Sequence, residues 1–239
     1  MGKTNKNKTI MFSDLKMNRC VLEIRYPKGH LYWDVCGKCI LEINEQTNEN
    51  IDFLRLEPDE CILKFVENPK AQASFGVKHM TMTGNELRNA KLFKENGPLI
   101  FETVKKHLGI KQLSRVGFRM FYVLPKDSLE EAEKFVDNTS FYSLDVSRFE
   151  GFGNKVEAKQ PVVTVSDGKT NVRIRLDAAK RTDSENPEVE VTEYSPRYAV
   201  LLDFDFYVEN LNVSDFDLQD FIHQAEKKVK EHAAQILKK

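Results

Sequence analysis

LSRVGFRMFYVLP, residues 113–125, alternates more regularly than any other stretch of the chain. Successive side chains of a β-strand point to opposite sides, so this pattern predicts a strand with two unlike faces. One face is apolar, and it carries Val116, Phe118, Met120, Tyr122 and Leu124. The other face carries Arg115, Gly117 and Arg119. The stretch therefore predicts a strand of a sheet that is buried on one side only.

Two further segments show the same division into an apolar and an ionic face. In NVRIRL, Arg173 and Arg175 alternate with apolar residues. In YAVLLDFDFYVE, Asp203 and Asp205 do the same with the opposite charge. Because each apolar face needs a cover, we expect helices on that side of the sheet and cross-strand ion pairs on the other.

Three amphipathic helices are predicted, at about residues 98–108, 127–136 and 214–237. Pro98 is expected near the start of the first helix, and Gly109 just after its end. The segment HLYWDVCGKCILEI (30–43) is expected to be a strand that is interrupted at Gly37. The order of elements lacks regular strand–helix–strand alternation. We therefore predict an α+β fold: a largely antiparallel sheet with amphipathic helices packed on one face, with two similar halves as an alternative.

Length and composition are those of an ordinary folded protein. The chain has 239 residues, of which 41% are hydrophobic and 31% charged, and its net charge is −1. Residues 1–16 are expected to be a flexible arm, and residues 17–239 a single domain. Two packed halves, 17–125 and 126–239, are the alternative to an undivided domain.

The chain is expected to be cytoplasmic and to have no contact with a membrane. No segment approaches the ~18–20 apolar residues of a membrane span, and the polar start has no apolar run of a secretory signal after it. In the cytoplasm the four cysteines are expected to be reduced.

The ionic face has two interpretations. In the simpler interpretation, the charged residues form cross-strand ion pairs on a face of the sheet that is exposed to solvent. This interpretation is favoured because charged faces of sheets are commonly just exposed. A recognition surface is the other, since arginines are planar donors for carboxylate or phosphate groups. Its candidate binding residues are Arg115, Gly117, Arg119, Arg173, Arg175, Asp203 and Asp205. Gly117 would leave room for a neighbouring side chain or a ligand.

Cys36 and Cys39 form a Cys-x-x-Cys pair and are the candidate metal ligands. Zinc would need two further ligands, and a redox pair is usually found at a helix N-terminus. Buried structural cysteines are therefore favoured over zinc and redox chemistry. Asp203 and Asp205 form an acidic pair that is able to hold a divalent ion. Acidic residues at alternate positions of a strand more often just lie on the face that is exposed to solvent. No cofactor is expected.

Three segments resemble a sporadically distributed family of uncharacterised bacterial proteins. They are the VLEIRY strand (21–26), the Arg-x-Gly-x-Arg strand at 115–119 and the LLDFDFY strand (201–207) followed by a long helix. The chain departs from the family after Arg119, where it has Met-Phe-Tyr. The resemblance implies no reaction. The layout also resembles the fold of SecB-like export chaperones, by fold analogy.

A non-catalytic partner-recognition protein is the predicted function, either chaperone-like or an accessory subunit of a bacterial defence or toxin–antitoxin system. No acid–base–nucleophile set is visible, and Phe149 and Phe152 occur in a polar stretch where burial on a partner is plausible. The expected partner is another protein, or a second copy of this chain. The alternatives are a metal- or thiol-dependent enzyme using Cys36/Cys39 or the two aspartates, and a nucleic-acid-binding accessory protein using the basic arm and the KKVKEH segment.

Overall fold

The computed structural model describes residues 10–47, 51–139, 141, 162–181 and 190–238. These residues form nine strands and four α-helices. The strands are β1 (Lys16–Arg25), β2 (Ile51–Leu56), β3 (Glu60–Phe65), β4 (Ala71–Gly76), β5 (His79–Asn85), β6 (Gln112–Lys126), β7 (Val162–Ser166), β8 (Asn171–Lys180) and β9 (Tyr198–Asn212). The helices are α1 (Tyr32–Gln46), α2 (Lys91–Leu108), α3 (Leu129–Asp137) and α4 (Leu218–Ile236). No helix among them is long and apolar enough to cross a membrane.

A single sheet contains all nine described strands. Their order across it is β2-β3-β4-β5-β1-β6-β9-β8-β7. Every neighbouring pair is antiparallel. β1 and β6 are therefore near the centre, and β2 and β7 are the edges of the sheet that the described residues build.

The alternation predicted for residues 113–125 is confirmed in β6. Phe118 and Met120 are fully buried, whereas Arg115 and Arg119 lie on the opposite face and keep part of their surface in solvent. β9 alternates in the same way, with buried apolar residues on one face and two aspartates on the other. The sheet is thus apolar on one side and ionic on the other.

The helices cover the apolar side of the sheet. Aromatic contacts join three of them to it: Tyr32 of α1 with Phe75, Phe93 of α2 with Phe118, and Phe135 of α3 with Lys126. The fourth, α4, packs against α2 and shares a cavity with the apolar face of β9. The predicted class is confirmed: an α+β fold with an antiparallel sheet and helices on one face.

The strand predicted for residues 30–43 is wrong, because this segment is helix α1. Its buried residues are Tyr32, Cys36, Cys39 and Ile43, which recur with helical spacing. Gly37, expected to mark a bulge, is exposed on the outer side of the helix, and a Cβ atom there would meet nothing within 4 Å. The β-branched and aromatic residues of the segment misled the prediction, since a helix with tertiary contacts overrides local propensity.

The other helices exist as predicted, but their starts differ. Helix α2 begins at Lys91, so Pro98 lies inside it rather than at its first turn, while Gly109 (φ 63°) ends it in the left-handed conformation as predicted. Helix α3 is capped by Ser128, whose Oγ accepts a hydrogen bond from the backbone N–H of Glu131 at 3.1 Å. The shift at α3 is of the size usual at helix termini, whereas α2 starts seven residues, about two turns, before Pro98.

A similar order of elements occurs twice among the described residues, with one strand fewer in the second occurrence. The first unit is β1, α1, strands β2 to β5 and α2; the second is β6, α3, strands β7 to β9 and α4. Within the sheet, the strands of the two units follow corresponding orders from the centre to the edge. The order is β1-β5-β4-β3 in the first unit and β6-β9-β8-β7 in the second. Because β1 and β6 pair antiparallel, the two units are related by an approximate twofold axis between them.

The units also meet through their long helices, α2 and α4. Lys94 Nζ donates to Glu226 Oε2 at 2.7 Å, and Lys230 Nζ is 2.9 Å from Glu226 Oε1. Glu226 is only 3% exposed. Burial raises the pKa of Glu226, but hydrogen bonds and charges of the two lysines outweigh burial, so the pKa lies below its ordinary value.

Glu226→Gln should destabilise the protein at neutral pH and have a smaller effect in acid. A carboxylate whose pKa is lower in the folded than in the unfolded protein stabilises the fold at pH values above its unfolded-state pKa, which is about 4.3 for Glu. This stabilisation is lost as the pH falls through the folded-state pKa. Urea unfolding of the variant and the parent at neutral pH and below about pH 4 measures this. Glu231→Gln, on the solvent side of the same helix, is the control. A Glu226→Gln effect that is independent of pH would contradict the assigned role.

Candidate functional site

The structure brings together the predicted binding residues of the ionic face. β6, β9 and β8 are neighbours in the sheet. In register, Arg119 lies opposite Asp205, and Asp205 lies opposite Arg173. Phe149 and Phe152, the other two predicted binding residues, lie outside the described residues.

Arg115 is held between two carboxylates. Its Nη1 donates to Glu23 Oε2 at 3.1 Å, and its Nη2 donates to both carboxylate oxygens of Asp205 at 3.1 and 2.9 Å. The guanidinium lies over Gly117, where a Cβ atom would be 2.7 Å from Nη1. The glycine between the two arginines is thus explained by the neighbouring side chain that occupies the space above it.

Arg119 makes a two-point contact with Asp203. Its Nε donates to Oδ1 at 2.8 Å and its Nη2 to Oδ2 at 2.6 Å. Asp203 is 4% exposed although it lies on the open face, because arginine side chains cover it. Arg175 Nε is 3.9 Å from Asp203 Oδ2, which is within ion-pair range. The Nε atom of Arg175 makes no hydrogen bond to this carboxylate.

The electrostatics of this network follow from its burial. The hydrogen bond to Asp203 raises the pKa of Arg119. Burial raises the pKa of Asp205 and outweighs the opposing effect of Arg115 and Arg119. Asp203 and Asp205 both have arginine partners, so the ionic face holds neighbouring strands together and its carboxylates are already engaged.

The candidate metal ligands, Cys36 and Cys39, face the apolar core from α1. Both are buried, and Cys36 lies close enough to Cys61 of β3 to raise its pKa. Burial raises the pKa of Cys39 to about 12, and burial likewise raises that of Cys61 to about 12. Across the described ranges, no three His, Cys, Asp or Glu side chains are placed to hold one metal ion.

The thiols should be chemically inert in the folded protein. All four cysteines are buried, and the thiolate is the reactive form, so modification by an aromatic disulfide reagent at about pH 8 should be more than about 100-fold slower than in guanidinium. Counting released chromophore against time, with and without denaturant, measures this. Rapid modification of a thiol in the native state would contradict the structural assignment.

The basic segment of α4 is largely neutralised by its neighbours. Lys228 Nζ lies 3.0 Å from Asp167 Oδ2, and Lys230 pairs with Glu226. Residues 1–9, which carry the basic part of the N-terminal arm, lie outside the described residues. The described part of α4 therefore does not present the one-sided basic stripe typical of a nucleic-acid interface.

An apolar groove between the β7–β8 hairpin and α4 was not predicted from the sequence. Its strand side is lined by Val165, Val172, Ile174, Phe204 and Phe206, and its helix side by Val229, His232 and Ile236. This cavity has a volume of about 210 Å³ and adjoins a larger, more polar one of about 540 Å³. The two share the lining residues Thr170, Phe206 and Lys228, so they are neighbours along α4.

The valines of β7 are unusually exposed for the apolar side of a sheet. Val163 pairs with Ile174 and Val165 with Val172, which places both valines on the side that the helices cover. Their exposed fractions are 42% and 53%. The only signal in the sequence is the uncharged run VVTVS, which also fits an ordinary hairpin strand. Whether its apolar face is covered depends on the tertiary structure.

Comparison with known proteins gives matches among solved structures alone. No family model matches the chain, and no curated protein does. The matching solved structures include that of an aspartate kinase from Clostridium acetobutylicum, with 12% identity over 91% of this chain and 33% of that chain, at a TM-score of 0.23. This chain thus spans about a third of that protein. A likeness at this level carries no functional argument.

Proposed function

We propose that this protein is a non-catalytic binding protein that recognises a polypeptide partner, as a chaperone-like protein or as an accessory subunit of a cytoplasmic complex. The observation that carries the proposal is the open apolar groove between the β7–β8 hairpin and α4. Contiguous exposed apolar surface is costly in water and commonly marks an interaction site.

The position of β7 at the sheet edge also favours polypeptide binding. Proteins usually protect an edge strand with charged side chains, because its free backbone groups invite another chain. β7 is VVTVS and carries no charge, whereas β2, at the other edge of the described sheet, contains Asp52 and Arg55. In the sheet that the described residues build, this uncharged edge strand and the groove lie side by side, so a bound polypeptide would contact both.

The ionic face supports the two alternative functions less well. A metal-dependent reaction at Asp203 and Asp205 would have to displace Arg119 and Arg115 from them. A thiol-dependent reaction at Cys36 and Cys39 would need access to side chains that α1 turns towards the core. The groove needs no such rearrangement.

Val165→Glu should abolish binding of apolar ligands to the groove. A charge at this position makes burial of a ligand unfavourable by about 1.4–2.7 kcal/mol, which is roughly 10- to 100-fold in affinity. Two probes test this: an anilinonaphthalenesulfonate dye, by fluorescence, and a carboxymethylated, permanently unfolded polypeptide, by anisotropy.

Leu54→Glu is the matched control. Leu54 is 55% exposed, close to the 53% of Val165, but it lies on β2 at the opposite edge of the sheet. It should leave both probes bound as in the parent protein. Equal binding by the parent and Val165→Glu, or failure of the parent to bind either probe, would contradict the proposed function.

A further inference from the structure

The β2 edge of the sheet presents both leucines and charges to solvent. Leu54 and Leu56 are 55% and 57% exposed, and Asp52 and Arg55 are exposed as well. In the sheet that the described residues build, β2 pairs with β3 on one side only. The backbone N–H and C=O groups on its outer side have no strand partner there. Open edge groups beside exposed leucines favour pairing with a further strand.

A bulge gives β2 two matched faces. Residues three apart in a regular strand point to opposite faces, but the register of β2 with β3 shifts between Phe53 and Arg55, where β2 has one extra residue. Asp52 and Arg55 therefore both lie on the ionic face of the sheet, and Ile51 and Leu56 both lie on the face that the helices cover. One face of the strand thus carries a negative and a positive residue, and the other carries two apolar ones.

We propose that β2 pairs antiparallel with β2 of a second copy of this chain, which joins the two sheets through a twofold axis. This pairing puts Asp52 of one copy opposite Arg55 of the other, and the symmetry makes the contact twice. The same register puts Ile51 opposite Leu56 on the other face. A shift by one residue in either direction would put Asp52 opposite a leucine instead. The inference is independent of the groove and of the proposed function.

The two charged residues of β2 are available for this contact. Asp52 makes no hydrogen bond or ion pair with another described residue. Arg55 pairs through Nε with Glu57 Oε1 at 2.8 Å, but the two side chains are 64% and 39% exposed, and such pairs contribute little. One guanidinium can hold two carboxylates, as Arg115 does on the ionic face. Edge charges exclude strands that do not match them, and β2 of a second copy matches.

The longer segments outside the described ranges cannot pair along β2. Residues 48–50 precede it directly, and three residues do not suffice for a turn and a strand beside it. Residues 142–161 run from the end of α3, which packs on β9 and β8 at six or more strand spacings from β2, to β7 at eight spacings. At about 4.8 Å per spacing, the way to β2 and back is roughly 67 Å, and a segment of this length spans at most about 70 Å, so nothing is left for a strand.

The two remaining segments are shorter. Residues 1–9 lead to Phe12, whose ring contacts Tyr122 of β6, five spacings or roughly 24 Å from β2. These residues span at most about 30 Å, which leaves too little for a strand. Residues 182–189 start and end beside Arg181, whose Nη1 donates to the carbonyl oxygen of Glu190 at 2.9 Å. The open edge of β2 therefore follows from the described residues.

Charge reversal tests the pairing. Asp52→Arg would put two positive charges opposite each other at both contacts, and Arg55→Asp two negative ones, so each variant should lower the association constant at least about tenfold. The double variant Asp52→Arg/Arg55→Asp restores opposite charges and should associate within about threefold of the parent. Lys38→Asp, on the exposed side of α1, is the control and should leave association unchanged.

Sedimentation equilibrium over a concentration series through the micromolar range measures each association constant. An edge of six residues per copy is small for an interface, so we expect a reversible dimer. Circular dichroism of each variant checks that it is folded.

A mixture of the two single variants gives the sharpest result. Each variant alone should stay monomeric at concentrations where the parent dimerises. Their heterodimer has opposite charges at both contacts, because one chain carries two positive residues and the other two negative ones, so it should form as readily as the parent dimer. Misfolding of a variant would not give such a rescue.

Three outcomes would overturn the inference: a parent that stays monomeric throughout the series, single variants that dimerise as the parent does, or a double variant and a mixture that both stay monomeric. None of them bears on ligand binding at the groove, which Val165→Glu reports separately.

Discussion

Replacing Phe118 by alanine should lower the free energy of unfolding by about 3–5 kcal/mol, the usual cost of removing a fully buried aromatic side chain. Phe118 lies between Leu22 of β1 and Phe206 of β9 in the register and is 0% exposed. Its ring centroid is 5.9 Å from that of Phe93 in α2. The truncation therefore opens a cavity where the central strands meet their helix cover. Urea unfolding followed by circular dichroism measures the loss.

Phe121→Ala is the control for this prediction. Phe121 is in the same strand but on the ionic face, where its ring lies 4.7 Å from the guanidinium carbon of Arg119. Its removal should cost about 1 kcal/mol, the size of an exposed cation–π contact. Equal losses for the two variants would mean that the strand does not have one buried and one open face. The binding groove, placed by the same alternation, would then be misassigned as well.

Arg119→Met should destabilise the protein by about 2 kcal/mol, because it leaves the buried Asp203 without its two-point partner. The cost falls below the roughly 3–5 kcal/mol typical of fully buried pairs, since the Arg119 side chain is 42% exposed and Arg175 is close enough to compensate in part. Equilibrium unfolding in urea at neutral pH gives the value.

A double-mutant cycle isolates the contribution of the pair. In an Asp203→Asn background, Arg119→Met should cost only about 0.5 kcal/mol, because no buried charge remains to be left unpaired. Arg173→Met is the surface control, since Arg173 is exposed on the neighbouring strand, and it should change stability by less than about 0.5 kcal/mol. Additive effects of the two substitutions would show that the contact is incidental.

The two-faced sheet could be predicted because its strands carry strict alternation. From Val116 to Leu124 in β6 and from Val200 to Val208 in β9 every second residue is apolar, and period-2 alternation has no other regular interpretation. The pairing of arginines on β6 with aspartates on β9 followed from opposite charges on strands of one sheet. The particular partners required the register, which the sequence does not specify.

Helix α1 was missed because its segment is rich in aromatic and β-branched residues and has a glycine near its centre. The spacing of Tyr32, Cys36, Cys39 and Ile43 was visible, yet Trp33, Val35 and Ile40 fill the intervening positions and obscure it. The groove was missed for a different reason. Whether the β7 valines are covered depends on the length of α3 and on where it packs, and no local pattern encodes either.

Two copies of one structural unit in a single polypeptide have a consequence for stoichiometry. A homodimer of identical units would have to carry either two filled helix positions or two vacant ones, since symmetry makes its subunits equal. Here the units are covalently joined and have unequal crossover helices, fifteen residues in α1 and nine in α3. Within the described residues, α1 packs on the strands of the first unit, and the proposed binding groove lies beside α4 of the second. We therefore expect one binding groove per molecule and complexes with a partner at a ratio of one to one.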